Sequence, residues 1–139
     1  MTAYDLQNIF AKVLRGEIPC HKIYEDDHTL AFMDIMPQAE GHSLVLPKTP
    51  SRNLLDADPE VFTPLMMTVQ KIARASQRAF KSDGILIMQF NEPAAGQTVF
   101  HLHVHIIPRK EGVALKPHSR EMADNALLAR QAEMIRAAL

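Results

Sequence analysis

Apolar and polar positions along the chain recur with two periods, and the switches between them mark out short elements. Leu6, Ile9, Phe10, Val13 and Leu14 fall at helical spacing behind Asp5, a good cap, and Gly16 and Pro19 close the segment; this predicts a short first helix. Residues 22–25 and 29–35 are strand-like runs joined by a tight acidic turn at Asp26 and Asp27, and a third run, 42–47, follows Gly41. Val61, Leu65, Val69, Ile72, Ala73, Ser76 and Phe80 predict the longest helix. Its start is ambiguous: Asp58 and Pro59 are a good cap and first position, but Pro64 then lies inside the helix, which implies a kink or a restart with Thr63 as cap. Residues 85–91 and 101–107 are further strands, with Pro108 as the stop. The tail from Arg120, rich in Ala, Leu, Met and Arg, reads as a final helix.

Strands grouped together with helices inserted between them, without regular strand–helix alternation, indicate an α+β domain on an antiparallel sheet. Its size, 139 residues, suits a single domain with a real core and no separate cofactor module. Fifteen Lys and Arg against 16 Asp and Glu, with no block of like charge, leave no footprint for duplex nucleic acid or an anionic membrane surface. Cys20 is the only cysteine, which excludes an intramolecular disulfide. With no basic leader followed by an apolar stretch, and no apolar run long enough to span a bilayer, the cytoplasm is the expected location.

His101, His103 and His105 alternate with Leu102, Val104 and Ile106. On a strand this puts the imidazoles on one face, each roughly 6.6 Å from the next, and the aliphatic residues on the other. A row so spaced cannot give all three nitrogens to one tetrahedral ion with bonds of roughly 2.1 Å, so at most two neighbours could share a metal. A chance run of histidines on a solvated face is the plain alternative. A neutral imidazole is, however, a good nucleophile toward phosphorus at neutral pH, and the phosphoryl-imidazole it forms is open to water. His103, flanked on both sides, is best placed for this. Before it, Gly96, Gln97, Thr98 and Val99 offer backbone, amide and hydroxyl donors for an anion.

His101-Leu102-His103-Val104-His105-Ile106-Ile107 resembles the signature of the histidine triad (HIT) nucleotide hydrolases and transferases, flanked by Ala95-Gly96-Gln97-Thr98-Val99 and Pro108-Arg109. Ile9-Phe10, Gly16-Glu17-Ile18-Pro19, Ala31-Phe32-Met33-Asp34-Ile35 and Gly41-His42-Ser43-Leu44-Val45-Leu46-Pro47-Lys48 look like the N-terminal half of the nucleotide-binding Hint branch. The resemblance implies a single HIT domain over 1–139, with the motif-bearing core at about 8–109 and a helical tail at about 120–139. It implies an antiparallel sheet of about five strands with two main helices, dimerising about a two-fold axis. By the same resemblance, His103 attacks an α-phosphate to give a nucleotidyl-histidine that water cleaves. His101 and His105 orient it and bind phosphate, and His42 joins their relay. Thr98 assists the leaving group, Asn91 and Gln97 contact phosphate and ribose, and Asp34 holds the ribose hydroxyls. Ile9, Phe10, Ile18, Phe32, Ile35 and Val99 line the slot for the base.

Several positions narrow the reading. His105 stands where the transferase branch has Gln, which favours hydrolysis. Asn8, Ala11 and Pro50 stand where some bacterial relatives have zinc ligands, so neither metal nor other cofactor is expected. Residues 91–95 and Pro108-Arg109 look closer to the dinucleoside polyphosphate branch. The sequence thus predicts a homodimeric, metal-free hydrolase of purine nucleoside phosphoramidates or related nucleotidyl bonds, releasing a nucleoside monophosphate. Dinucleoside polyphosphate hydrolysis is the alternative within enzymes, and a nucleotide-binding regulatory protein the alternative from another class. His118 is read as solvated rather than as a site contact.

Overall fold

The computed structural model describes residues 2–117 and 121–139; His118, and Arg120 where the tail was predicted to begin, lie outside the described residues. Strands β1 (Lys22–Glu25), β2 (Thr29–Met33), β3 (Ser43–Pro47), β4 (Gly84–Met88) and β5 (Val104–Arg109) form one antiparallel sheet in the order β1-β2-β3-β5-β4. Helices α1 (Ile9–Leu14), α2 (Phe62–Phe80) and α3 (Asn125–Ala138) flank it. The predicted α+β architecture, about five antiparallel strands with two main helices, is the one observed.

The alternation of side chains along the strands sorts two cores. Ala31, Met33, Val45, Val104 and Ile106 face α2 and α3, meeting Leu65, Val69, Ile72, Leu128 and Ile135. Leu30, Phe32, Leu44 and Leu46 point the other way, toward Phe10 and Val13 of α1. Leu102 joins the first core, as its place in the alternating run predicted.

Boundaries moved for identifiable reasons. Asn8, not Asp5, caps α1 by accepting from the Ala11 N–H, while Asp5 closes the turn before it through Gln7. Pro64 causes neither kink nor restart. Asp58 caps a 3-10 turn at Pro59–Val61 that runs straight into α2, and Pro64 falls in the first turn of α2, where backbone N–H groups have no intrahelical acceptor to lose. β2 ends at Met33 because Asp34 turns the chain, its carboxylate accepting from Met36 N–H at 2.8 Å. β4 likewise ends at Met88, short of Asn91.

The largest correction concerns the histidines: β5 begins at Val104, so His101 and His103 precede it. Leu102 N–H donates to Ser51 O at 2.9 Å, which takes this stretch off the sheet ladder. Pro108 does not stop β5. It pairs with Ile85 of β4, while β3 reaches only Ile106, so the residue lacking an N–H has a strand neighbour on one side alone.

Gly41 precedes His42 at φ +82°, and a Cβ there would lie 2.5 Å from the Phe80 ring. Gly16 has a similar φ of +78° but open space around it. Gly16→Ala is expected to cost only the backbone penalty of about 1–2 kcal/mol, and Gly41→Ala a further 1–3 kcal/mol or so from overpacking. Denaturant unfolding of the two variants against the parent measures the difference.

Candidate active site

A cavity of about 200 Å³ opens between α1, β2 and the segment leading into β5. Its lining includes Ile9, Phe10, Ile18, Phe32, Asp34, Ile35, Thr98, Val99, His103 and His105, ten of the residues singled out in the sequence. Val13, Pro19, Cys20, Met33, Met36 and Leu44 complete it; each reads in the sequence as ordinary core or loop, with no local signal to set it apart. His42, His101, Asn91 and Gln97 are not in the lining.

Each histidine meets a partner that decides which nitrogen carries its proton. His103 Nδ1 lies 2.6 Å from the carbonyl oxygen of His101, an acceptor only, so Nδ1 holds the hydrogen and Nε2 keeps its lone pair. Phe10 meets the His103 ring edge-on at 4.9 Å. Burial pushes the His103 pKa down from 6.5, against the opposing effect of the hydrogen bond to His101, so the neutral form is favoured.

On β3 and β5 the order of bonding runs inward from the backbone. The Gln38 N–H donates to His42 Nδ1 at 3.0 Å, so the His42 proton is on Nε2. That Nε2 lies 2.9 Å from His105 Nδ1 and 3.3 Å from Asp34 Oδ2, so it donates to both acceptors. His105 therefore carries its own proton on Nε2. The pairing Leu44↔His105 sets this contact, because it brings the residues just before β3 beside the start of β5.

His101 differs from the prediction. His101 precedes β5 at a bend of the chain and is not in the cavity lining, whereas His103 and His105 are. It is fully buried, with Nε2–H donating to Pro47 O at 2.8 Å and Nδ1 accepting from the Tyr4 hydroxyl at 2.6 Å. Burial pushes its pKa down to about 4. Both nitrogens are committed within the protein, and the group it turns toward His103 is its backbone carbonyl. The rings of His103 and His105, by contrast, lie 5.0 Å apart.

Gln97 and Asn91 are framework residues here. The Gln97 amide oxygen accepts from Asn53 Nδ2 and Glu92 N–H, and its nitrogen donates to the carbonyls of Arg52 and Val99. Arg52 grips Glu92 through both carboxylate oxygens at 2.8 and 3.0 Å and covers the Phe100 ring at 4.0 Å. Glu92 itself sits at φ +74°, a conformation this bonding holds in place. Asn91 accepts from the Leu54 N–H and pairs with Gln89. The network fixes the loop that presents Thr98 and Val99 to the cavity. Arg52 and Asn53 carried no sequence signal, because their roles arise only from contacts with residues 40 and 44 positions away.

Among the described residues, Asp34, His42 and His105 bring metal-type donor atoms within 4.8 Å of one another. The convergence is across β2, β3 and β5, not between neighbours of the triad as the sequence reading allowed. For His42 Nε2 to bind a cation it would have to give up its proton, and with it the Gln38 N–H bond at Nδ1 or the neutral charge of the ring.

The HIT domain model matches residues 15–112. The chain belongs to the HIT family. It is 46% identical over 101 residues to Protein hit of Bacillus subtilis (strain 168), covering 73% of this chain and 70% of that one. It is 44% identical over 108 residues to the adenylylsulfatase HINT3 of Arabidopsis thaliana, covering 76% of this chain but only 55% of that protein's length. Among solved structures, a Hit-like protein involved in cell-cycle regulation from Bartonella henselae, crystallised with an unknown ligand, superposes with a TM-score of 0.95 at 56% identity, covering 99% of this chain and all of the other. A hypothetical histidine triad nucleotide-binding protein from Sulfolobus tokodaii strain7 gives 0.85 at 31% identity, over 93% and 89% of the two chains. The family is one of nucleotide-binding hydrolases.

His101, depressed to about 4 in the folded protein, takes up a proton near 6.5 once unfolded. Between those values the unfolded chain binds more protons, so stability falls as pH drops through this window. The expected loss from this group between pH 6.5 and 4 is about 3 kcal/mol. Unfolding free energies measured across that range should fall less steeply in His101→Gln.

Proposed function

We propose that the protein is a hydrolase of purine nucleoside phosphoramidates or related nucleotidyl bonds, working through a nucleotidyl-His103 intermediate and releasing a nucleoside monophosphate. The observation that carries this reading is the His103 Nδ1–H bond to the His101 carbonyl, which leaves the lone pair on Nε2 of a buried, neutral imidazole in the cavity lining. The cavity, at about 200 Å³, is smaller than the roughly 300–1,000 Å³ typical of sites for whole ligands. It suits a flat base among Ile9, Phe10, Ile18, Phe32 and Val99, with the sugar against Asp34 and the phosphate at the histidines.

In this reading His103 Nε2 bonds to the α-phosphorus as the bond to the leaving nitrogen breaks. That nitrogen keeps the electron pair, takes a proton from solvent and departs as the amine, with the Thr98 hydroxyl donating a hydrogen bond to it. The charge gained by the His103 ring is spread through Nδ1–H onto the His101 carbonyl. The His105 Nε2–H, fixed by His42, is a donor for the phosphoryl oxygens. Water then attacks phosphorus and releases a proton to solvent, the P–N bond to His103 breaks with its electrons returning to Nε2, and the monophosphate leaves. Such chemistry needs no metal from the residues assigned here, and we place it in the cytoplasm.

The test is AMP release from adenosine 5′-phosphoramidate with chelator present. The parent is expected to turn over, with His103→Ala slower by at least about a thousandfold. Because His103 titrates below 6.5, the acid limb of kcat/KM should lie below that pH. Loss of parental activity with chelator would assign the Asp34, His42, His105 group to a metal. Tight AMP binding with negligible turnover would favour a nucleotide-binding regulator, the reading that the description of the Bartonella protein supports.

The reading includes a homodimer. β4 is an edge strand, and Met66, Met67 and Ile87 beside it are 50%, 66% and 41% exposed. An edge and an apolar helix face of this kind are self-complementary about a two-fold axis. Sedimentation should show a dimer, and Met67→Asp should shift it toward monomer.

A further inference from the structure

We propose that Tyr4 is a positioning residue for the reacting histidine, acting through His101; the proposal rests on the reading of His103 as nucleophile. Tyr4 lies 97 positions before His101, and its hydroxyl meets His101 Nδ1 at 2.6 Å, with the two rings edge-to-face at 5.7 Å. The Pro47 carbonyl already requires the His101 proton on Nε2, so Nδ1 is an acceptor and the tyrosine hydroxyl must donate to it. With that hydroxyl gone, a fully buried ring nitrogen is left without a donor. If the ring rotates to recover a partner, it breaks its bond to Pro47 and moves the peptide whose oxygen accepts from His103 Nδ1–H at 2.6 Å.

The path is short: Tyr4 hydroxyl to His101 ring, His101 carbonyl to His103 ring. The same N-terminal segment touches the system twice. After Tyr4, Asp5 and Asn8 form the turn that starts α1, and Phe10 of α1 packs edge-on against His103 at 4.9 Å. Residues 4–10 thus hold His101 from behind and His103 from the side. Tyr4 is not in the cavity lining, so its effect falls on the alignment of His103 and not on binding.

The experiment compares the full-length parent, Tyr4→Phe and Tyr4→Ala in steady-state AMP release from adenosine 5′-phosphoramidate, alongside long-range proton–nitrogen correlation spectra of the histidine rings. Phe keeps the ring and removes only the donor. Both variants are expected to lose kcat by roughly five- to tenfold, with KM unchanged, and the spectra to show His101 Nδ1 losing its hydrogen bond and His103 losing its single Nδ1–H tautomer. A Tyr4→Phe protein that keeps parental kcat and an unaltered His103 spectrum overturns the proposal, because Tyr4 then only packs. A rise in KM at constant kcat overturns it too. If the parent itself releases no AMP, it is the reading of His103 as nucleophile that fails; the His101 and His103 spectra of Tyr4→Phe still decide whether the hydroxyl positions them.

Discussion

The pairing of β3 with β5 is the contact on which the site depends. It joins the β1-β2-β3 meander to the β5-β4 hairpin, and it does so over the three partners Ser43↔Ile106, Leu44↔His105 and Val45↔Val104. Because side chains alternate, a slip of one residue would send His105 toward α2 and Val104 into the cavity. The register is held by burial on both faces, with Val45, Val104 and Ile106 in one core and Leu44 in the other. The same register carries His42 to within 2.9 Å of His105, so packing and relay geometry have a common origin.

Given that register, the protonation pattern follows from the backbone. Pro47 and His101 offer carbonyls and Gln38 an N–H, and each allows only one tautomer at the ring it meets. A carbonyl or peptide N–H cannot change its own hydrogen-bonding role, whereas a side-chain partner could rotate or titrate. The loop that supplies Gln38 is itself tied down, with its carbonyl accepting from Lys116 N–H at 2.9 Å and the Ile35 carbonyl from Ala123 N–H at 2.9 Å. Tertiary contacts of the C-terminal segment thus reach His42 through one residue.

What could be read from the sequence was whatever local periodicity encodes. The antiparallel α+β sheet, the stripe of α2 and the inward course of Leu102, Val104 and Ile106 all followed from spacing and held. Most of the slot, from Ile9 and Phe10 to Asp34, Thr98 and Val99, came from the family resemblance and does line one cavity. His101 is not in the cavity lining: its ring nitrogens meet Pro47 O and the Tyr4 hydroxyl, partners 54 and 97 positions away that period-two reasoning does not reach. Gln97 and Asn91 were assigned to ligand, yet their amides are taken up by Arg52, Asn53, Glu92, Gln89 and Leu54. Arg52, Asn53 and Leu54 lie 45, 44 and 37 positions from the amides they meet, outside any local window of sequence.

Under the proposed reading of His103 as nucleophile, burying several imidazoles together has a physical cost that the arrangement turns to use. A nucleophile for phosphorus must be unprotonated, and an exposed imidazole near its ordinary value of 6.5 is partly protonated whenever the medium is mildly acidic. Desolvation of His103 and His101 moves both away from that point, toward the neutral ring. Burial alone would leave polar nitrogens unpaired, which is destabilising by more than a made hydrogen bond returns. The backbone partners at His101, His103 and His42 remove that penalty without adding charge. The design therefore works only if every ring nitrogen that faces protein is matched. At His101 the last match is made by a side chain near the N-terminus, Tyr4, and not by the sheet. A chain trimmed of its first four residues would lose that match although every residue of the cavity lining and of both cores remained in the sequence.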